Sequence, residues 1–355
     1  MTNKWPNTKI SEISENLDSK RIPVSKLKRK PGNIPYYGAT GIVDYVDNYI
    51  FDEELLLIGE DGADWSDGAN TAFIVNGKSW VNNHAHVLRI KDKNIQFVMN
   101  YLNYSDLRNY ISGTTRGKLN QASLNKIKIP NPPLKTQQKI ASILSSVDEA
   151  IQKTDQIIQE SEKLKHGLMD KLLDSKSKNW KRFTLDELCN FTTGKLNSNQ
   201  AVDSGIYPFF TCAKETFSIN RYSFDTKAVL LAGNNAAGIY SVKYYHGKFD
   251  AYQRTYVITV KDESVLDYHF LKELLNIRLN LLKDFSVGTN TKFLTVKLLF
   301  SLEVFLPPID IQKRIVKILS TCDNKINSEN IKKSKLTLLK SGLMNDIFSQ
   351  KVEIN

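Results

Sequence analysis

From Thr136 to about Asp174, the residues Ile140, Ile143, Leu144, Val147, Ile151, Ile158, Leu164, Leu168 and Leu172 recur at near-heptad spacing, with no proline and one glycine, Gly167. That period predicts a single long amphipathic helix. A second stripe, through Ile315, Ile318, Leu319, Cys322, Ile326, Leu336, Leu339, Leu343 and Ile347, predicts a partner helix from about Ile311 to Phe348. At about 1.5 Å per residue, each would run for more than about 50 Å. Neither can bury such a stripe inside a module of ordinary size, so the two are expected to pair as an antiparallel coiled coil.

Elsewhere the apolar runs are short. "ELLLIG", "TAFIV", "HVLRI", "AVLLAG" and "TYVITV" are bounded by Gly, Asn and Asp and read as strands. "IQFVMNYLNYSDLRNYI" and "LDYHFLKELLNIRLNLLKDF" carry apolar residues three and four apart and read as helices.

These elements occur twice in the same order. "PLKTQQKIASILSSVDEAI" at 133 to 151 and "PIDIQKRIVKILSTCDNKI" at 308 to 326 share Pro, Gln, Ile, the Ile-Leu-Ser run and Asp at the same places. Trp5 and Glu12 fall on Trp180 and Glu187, Gly113 and Thr114 on Gly288 and Thr289, and Gly167, Leu168 and Met169 on Gly342, Leu343 and Met344. A period this long indicates two whole domains of one fold rather than a solenoid, related by a pseudo-twofold axis. The expected class is α+β: β-rich modules at 1–134 and 176–309, each followed by a spacer helix, at 135–175 and 310–355. Between the anchors the loop contents differ.

Composition changes little: 41% hydrophobic and 25% charged residues suit a packed globular protein. No window approaches the length of apolar sequence a membrane span requires, and "MTNKWPNTKI" has no signal-peptide core, so a cytoplasmic protein without a membrane partner is expected. Cys189, Cys212 and Cys322 are widely spaced, which suggests reduced thiols rather than a disulfide framework or zinc site. The net charge of +11 favours a polyanionic partner.

The tandem layout, with "PPLKTQQKIASILSSVDEAI" and "LPPIDIQKRIVKILSTCDNKI" at the junctions and "GTTRGKLN" and "GTNTKFLT" upstream of them, resembles the specificity subunits of type I restriction-modification enzymes over essentially the full length. The resemblance implies a noncatalytic subunit with two target-recognition domains. Each would read one half of a bipartite, asymmetric site on double-stranded DNA, and the helices would fix the gap between the halves. It also implies two methyltransferase subunits and restriction subunits as partners. S-adenosylmethionine, ATP and magnesium would belong to those partners, and this chain would carry no cofactor and no metal.

Several residues are candidates for the contact. In the Gly-Thr loops, Gly113 and Gly288 permit close backbone approach; Thr114, Thr115, Arg116 and Lys118, and Thr289, Asn290, Thr291 and Lys292, offer donors and charge to phosphate. A tight structural turn is the plainer reading of the same loops. "WVNNHAH" and "DAYQRTY" suggest equivalent reading strands: Asn82, Asn83 and Gln253 suit adenine edges, Arg254 suits guanine, and His84 with His86 suggests a metal pair or, more plainly, half-buried or DNA-facing side chains. Glu60, Asp61, Asp64 and Asp67 suggest a metal site or a polar turn loop, and Asn234 and Asn235 in the second copy favour the loop. "NPPL" lacks the aromatic residue of an amino-methyltransferase motif, and no Gly-rich cofactor loop precedes it. The rival from another class is a structural coiled-coil adaptor joining two protein-binding modules without DNA.

Overall fold

The computed structural model describes residues 5–113, 117–173, 180–235, 238 and 240–354. The chain divides into two compact units, 1–155 with 330–355, and 156–329.

The first unit runs β1 (Asn7–Lys9), α1 (Ile10–Ile13), β2 (Ser14–Asn16), β3 (Pro31–Gly38), β4 (Gly41–Val46), β5 (Phe51–Asp52), β6 (Leu55–Gly59), β7 (Ala72–Val75), β8 (Lys78–Val81), β9 (Ala85–Ile90), α2 (Ile95–Tyr104), α3 (Gln121–Leu124) and β10 (Lys128–Pro130). The long helix α4 (Leu134–Leu173) then begins. Strands β2-β9-β6-β7 form one sheet and β4-β3-β8-β5 another. Gly77, at φ 71°, breaks β7 from β8 between the two sheets. "LLLIG" of β6 is buried at all five positions, as its unbroken apolar run requires of a strand covered on both faces.

The second unit runs β11 (Lys181–Thr184), α5 (Leu185–Leu188), β12 (Cys189–Thr193), β13 (Tyr207–Phe210), β14 (Phe217–Ile219), β15 (Phe224–Ala232), β16 (Asn234–Asn235), β17 (Val242–Ala251), β18 (Thr255–Val260), α6 (Tyr268–Ile277), α7 (Leu279–Asp284), β19 (Lys292–Phe293), α8 (Val296–Phe300) and β20 (Glu303–Leu306), and leads into α9 (Ile309–Phe348). Its main sheet has the order β12-β18-β15-β17-β13-β14. Because β17 is continuous where β7 and β8 are separate, one six-stranded sheet stands in place of two. The order is otherwise that of β2-β9-β6-β7/β8-β3-β4, and the parallel pairs Tyr36–Trp80 with Tyr37–Val81 and Phe209–Asp250 with Phe210–Ala251 correspond.

The repeated sequence anchors have local causes. Glu12 accepts from the backbone nitrogen of Lys9 at 3.1 Å and Glu187 from that of Thr184 at 2.7 Å, so each satisfies a free donor at the start of α1 or α5. Asn94 caps α2 by accepting from Phe97, and Asp267 caps α6 by accepting from His269 and Phe270.

The two long helices pack antiparallel within each unit. In the first, Asp155 pairs with Lys333 and Asp148 with Lys340, both at 2.6 Å; in the second, Lys165 meets Asp323 at 2.6 Å. The repeated Gly-Leu-Met falls at the far end of each helix and completes the core of the other repeat's module. Leu168, Met169 and Leu172 of α4 pack on the second unit's core, while Met344, Ile347 and Phe348 of α9 lie in that of the first. The phase of the stripe differs from expectation in part. Leu164, Ile318 and Leu339 are 58%, 43% and 51% exposed, whereas Gln137 and Thr154 are buried on the packed side. These helices carry apolar residues on more than one face, so spacing alone did not select the buried one.

Candidate nucleic-acid interface

In the first unit three segments distant in sequence converge. They are the loop after β6, the turn 82–84 between β8 and β9, and the Gly-Thr loop before α3. The backbone nitrogen of Glu60 donates to His84 at 2.8 Å, and that of Leu119 donates to Glu60 at 2.8 Å. Ser112 and Lys118 exchange backbone hydrogen bonds at 2.9 and 2.8 Å and close the Gly-Thr loop at its base. Asp61 bridges to Lys118 along the backbone, and its carboxylate meets His84 Nδ1 at 2.6 Å.

Beneath this surface lies a charge network buried at Glu60 and His86, with Lys118 exposed at its edge. Glu60 receives Arg21 at 2.5 Å and Lys118 at 2.9 Å. The His86 ring, 1% exposed, meets Asp18 through Nδ1 and the carbonyl of Leu119 through Nε2, both at 2.6 Å. Burial pushes the carboxyls of Asp18 and Glu60 upward. The hydrogen bonds from His86 to the first, and from Arg21 and Lys118 to the second, outweigh it and hold both below their ordinary values. Donor atoms of Asp18, Glu60 and His86 lie within 4.8 Å of one another, as metal ligands would. Arg21 and Lys118 already supply the positive charge there, so the grouping is a satisfied ion-pair network. Of the acidic run read from sequence, Asp64 makes a turn, accepting from the backbone and hydroxyl of Ser66 at 2.9 and 2.7 Å.

The second unit builds the same junction from other side chains. Gly233 donates to Arg254 at 2.8 Å and accepts from Leu294 at 2.8 Å; Val287 and Phe293 close the loop at 3.0 and 2.8 Å. Tyr256 takes the place of His86, its hydroxyl donating to the carbonyl of Leu294 at 2.8 Å. The Arg254 guanidinium lies 5.3 Å from the centre of the Phe293 ring, which limits its freedom without consuming its donors. Lys292 pairs along the backbone with Asn235 of β16. Gly288 sits at φ 104°, and a Cβ there would fall 2.1 Å from the carbonyl oxygen of Thr291, so the tip of this loop requires glycine.

The segments expected to be reading strands are turns at the ends of strands. Asn82 is buried and its Oδ1 accepts from the His84 nitrogen at 2.8 Å, an Asx turn that leaves Asn83 exposed and His84 partly so. Gln253 and Arg254 are exposed, and Gln253 Nε2 donates to Asn197 at 2.9 Å. Thr289 and Asn290 are exposed at the loop tip, and Thr291 and Lys292 are half-buried. Thr114, Thr115 and Arg116 lie outside the described residues. Sequence reasoning missed Asp18, Arg21 and Asn197, which support these turns from more than 50 positions away, and Lys243, whose Nζ donates to the carbonyls of Ala213 and Glu215 at 3.2 and 2.7 Å. No local signal marks such partners.

Among curated proteins, a putative type I restriction enzyme specificity subunit of Haemophilus influenzae is 40% identical over 139 residues, 39% of this chain and 36% of that protein. The EcoDI specificity subunit of Escherichia coli is 40% identical over 149 residues, 42% of this chain and 32% of its own length. The chain thus matches about a third of the length of these two relatives. The MjaVIII specificity subunit of Methanocaldococcus jannaschii is 24% identical across 99% of this chain and 93% of its own. Among solved structures, the type I restriction-modification S subunit of M. genitalium covers 100% of this chain and 98% of its own with a TM-score of 0.72 at 17% identity, a likeness of fold. The sequence pattern of the type I restriction modification DNA specificity domain matches twice, at residues 2–163 and 177–338, and the chain belongs to that family.

Proposed function

We propose that this chain reads a bipartite, asymmetric sequence on double-stranded DNA and docks methyltransferase and restriction subunits. One observation carries the reading. The same three-segment junction is built twice on matching sheets, with His84 in one copy and Arg254 in the other at the same turn. A scaffold repeated with its exposed side chains changed suits two readers of different base sequences. The exposed Lys118 beside the first junction and the half-buried Lys292 beside the second suit phosphate, which positions a reader without specifying sequence.

In this reading the chain performs no chemistry. S-adenosylmethionine, ATP and magnesium are used by the partner subunits, and the complex works in the cytoplasm. The test is co-expression with methyltransferase subunits followed by mapping of methylated positions on DNA. A split motif that changes in one half when residues 1–134 are replaced by the corresponding module of a relative is the expected result. Methylation unaffected by the exchange, or no complex, would favour the adaptor instead.

A further inference from the structure

Between Asp18 and Asp44 there is no acidic residue, while Lys20, Arg21, Lys26, Lys28, Arg29 and Lys30 all fall there. In the middle of this run, a 3₁₀ turn at Lys26–Lys28 holds Leu27 with its whole surface in water, 100% exposed. An exposed leucine is by itself unremarkable in a folded protein. Its setting is not.

The turn is firmly built. Arg29 Nε donates to the carbonyl of Val24 at 3.0 Å, its Nη1 pairs with Asp44 at 2.9 Å, and its guanidinium lies 4.2 Å from the centre of the Tyr36 ring. Tyr36 in turn accepts from the Val24 nitrogen at 3.0 Å. Arg29 is thereby spent on structure, whereas Lys26, Lys28 and Lys30 are exposed and in no ion pair among the described residues. A pocket of about 350 Å³ beside the turn is lined in part by Lys28, Lys30, Asp47, Asn48 and Trp80. The strap is continuous with the junction described above: Trp80 Nε1 donates to Ile22 at 2.7 Å, and Arg21 reaches Glu60.

We propose that Lys26–Lys28 is a DNA wedge: Leu27 enters the minor groove between two base pairs beside the first half-site, and Lys26, Lys28 and Lys30 hold the flanking phosphates. The assignment rests on the DNA-reading function proposed above and adds a contact to it. Three exposed lysines in no ion pair among the described residues select a polyanion. A rigid apolar tip between them matches the side chains that unstack a base step and bend the duplex, because leucine offers nothing to a phosphate and much to an opened stack. In the second unit the stretch after β12, residues 194–205, has one lysine, one aspartate and a 3₁₀ turn of Ser198–Gln200, so the wedge belongs to the first half-site alone.

The experiment uses the complex of the full chain with methyltransferase subunits and a duplex carrying its mapped site, with 2-aminopurine placed at successive steps beside the first half and dyes at the ends to report bending. The wild-type complex is expected to unstack one step and bend the duplex. Leu27→Ala, at a fully exposed position, should abolish both and weaken binding about tenfold, the worth of part of a buried leucine, with the methylated sequence unchanged. Leu27→Phe should restore unstacking. Replacing the three lysines with glutamine should flatten the dependence of log affinity on log salt by about 2 to 3. Leu27→Ala binding and bending DNA like the wild type would overturn the wedge while leaving the reader intact. A wild-type complex that recognises no split site would overturn the reader itself. Leu27-dependent binding to anionic vesicles, with no effect on DNA, would reassign the strap to a membrane surface.

Discussion

The side-chain oxygen of Gln312 accepts a hydrogen bond from the backbone nitrogen of Asp267 at 3.0 Å. Its amide donates to the carbonyls of Val265 and Pro307 at 2.8 and 2.9 Å, and the residue is fully buried. Gln137 does the same in the first unit, accepting from Asn94 at 3.0 Å and donating to Pro132 at 2.9 Å. The glutamine that recurs after each Pro-Pro pair thus ties the entry of a long helix to the capping residue of α2 or α6. Its recurrence has a structural cause.

Gln312→Ala would strand the partly buried donor of Asp267 and two acceptors, partly buried at Val265 and buried at Pro307, each costing about 1–3 kcal/mol when left unpaired and fully buried, with part recovered by bonds to entering water. A loss of about 2–4 kcal/mol is expected. Urea unfolding measures it. A midpoint unchanged from wild type would show that the bonds do not hold the junction together.

Phe348 is encoded in the second repeat but packs in the first unit, its ring centre 5.1 Å from that of Tyr104 and 5.3 Å from that of Tyr101. Phe348→Ala should cost about 3–5 kcal/mol, the usual effect of emptying an aromatic core site. Hydrogen exchange gives the location as well as the size. Protection should fall first at the amides of Ile95–Tyr104 in α2, and a uniform change with α2 spared would contradict this packing.

The double architecture was legible because a chain compared with itself reveals whole domains, and because both long helices announce themselves by period and by Pro-Pro at the start. Their buried face was less so. Leu164 and Leu339 fit the spacing yet face water, while Thr154 satisfies its hydroxyl on the carbonyl of Ala150 at 2.8 Å and packs inside. The Gly-Thr loops and the "NNH" and "QR" stretches are each visible in the sequence. Their convergence was hidden, since the contacts that assemble them join Asp18 to His86 and Glu60 to Lys118 across many intervening residues. Such pairings follow from strand order, which no local pattern encodes.

The stripe itself can be tested by a pair of substitutions. Leu319 is 1% exposed and Leu164 is 58% exposed. Leu319→Ala is expected to cost about 2–5 kcal/mol and Leu164→Ala less than about 0.5 kcal/mol. Thermal unfolding of the two variants distinguishes this packing from the one the heptad pattern suggests, in which both would cost alike.

Acid should loosen the first unit's junction selectively. Asp18 and Glu60 are held below their ordinary values of 3.8 and 4.5 despite burial, which opposes the shift. A carboxyl with a depressed folded value binds fewer protons folded than unfolded, so its contribution is complete above the ordinary value and is lost as pH falls through the folded one. Stability of the first unit should therefore decline from about pH 5 downward. Glu60→Gln should weaken that decline and lower stability at neutral pH, because Arg21 and Lys118 lose their shared anion. Intrinsic fluorescence of Trp65, whose indole donates to Gly59 at 3.0 Å beside this cluster, would follow the change. An acid profile identical in Glu60→Gln and wild type would remove Glu60 from the account.

Arg254 gives the sharpest test of reading by the second unit. It is exposed at the turn between β17 and β18, and its guanidinium rests against Phe293 while its N–H groups make no hydrogen bond among the described residues. A planar fork held in this way suits the two acceptors on the edge of guanine. Arg254→Ala should relax recognition at a single base pair in the second half of the methylated motif, with discrimination there falling about tenfold to a hundredfold and the first half untouched. Arg254→Lys should fail to restore it, because an ammonium supplies charge without the fork. Phe293→Leu should give a weaker version of the same defect by freeing the guanidinium. Mapping methylated sites for each variant reads all three results. A uniform loss of methylation with the motif unchanged would make Arg254 a phosphate contact, and base readout would then fall to the exposed tip at Thr289 and Asn290.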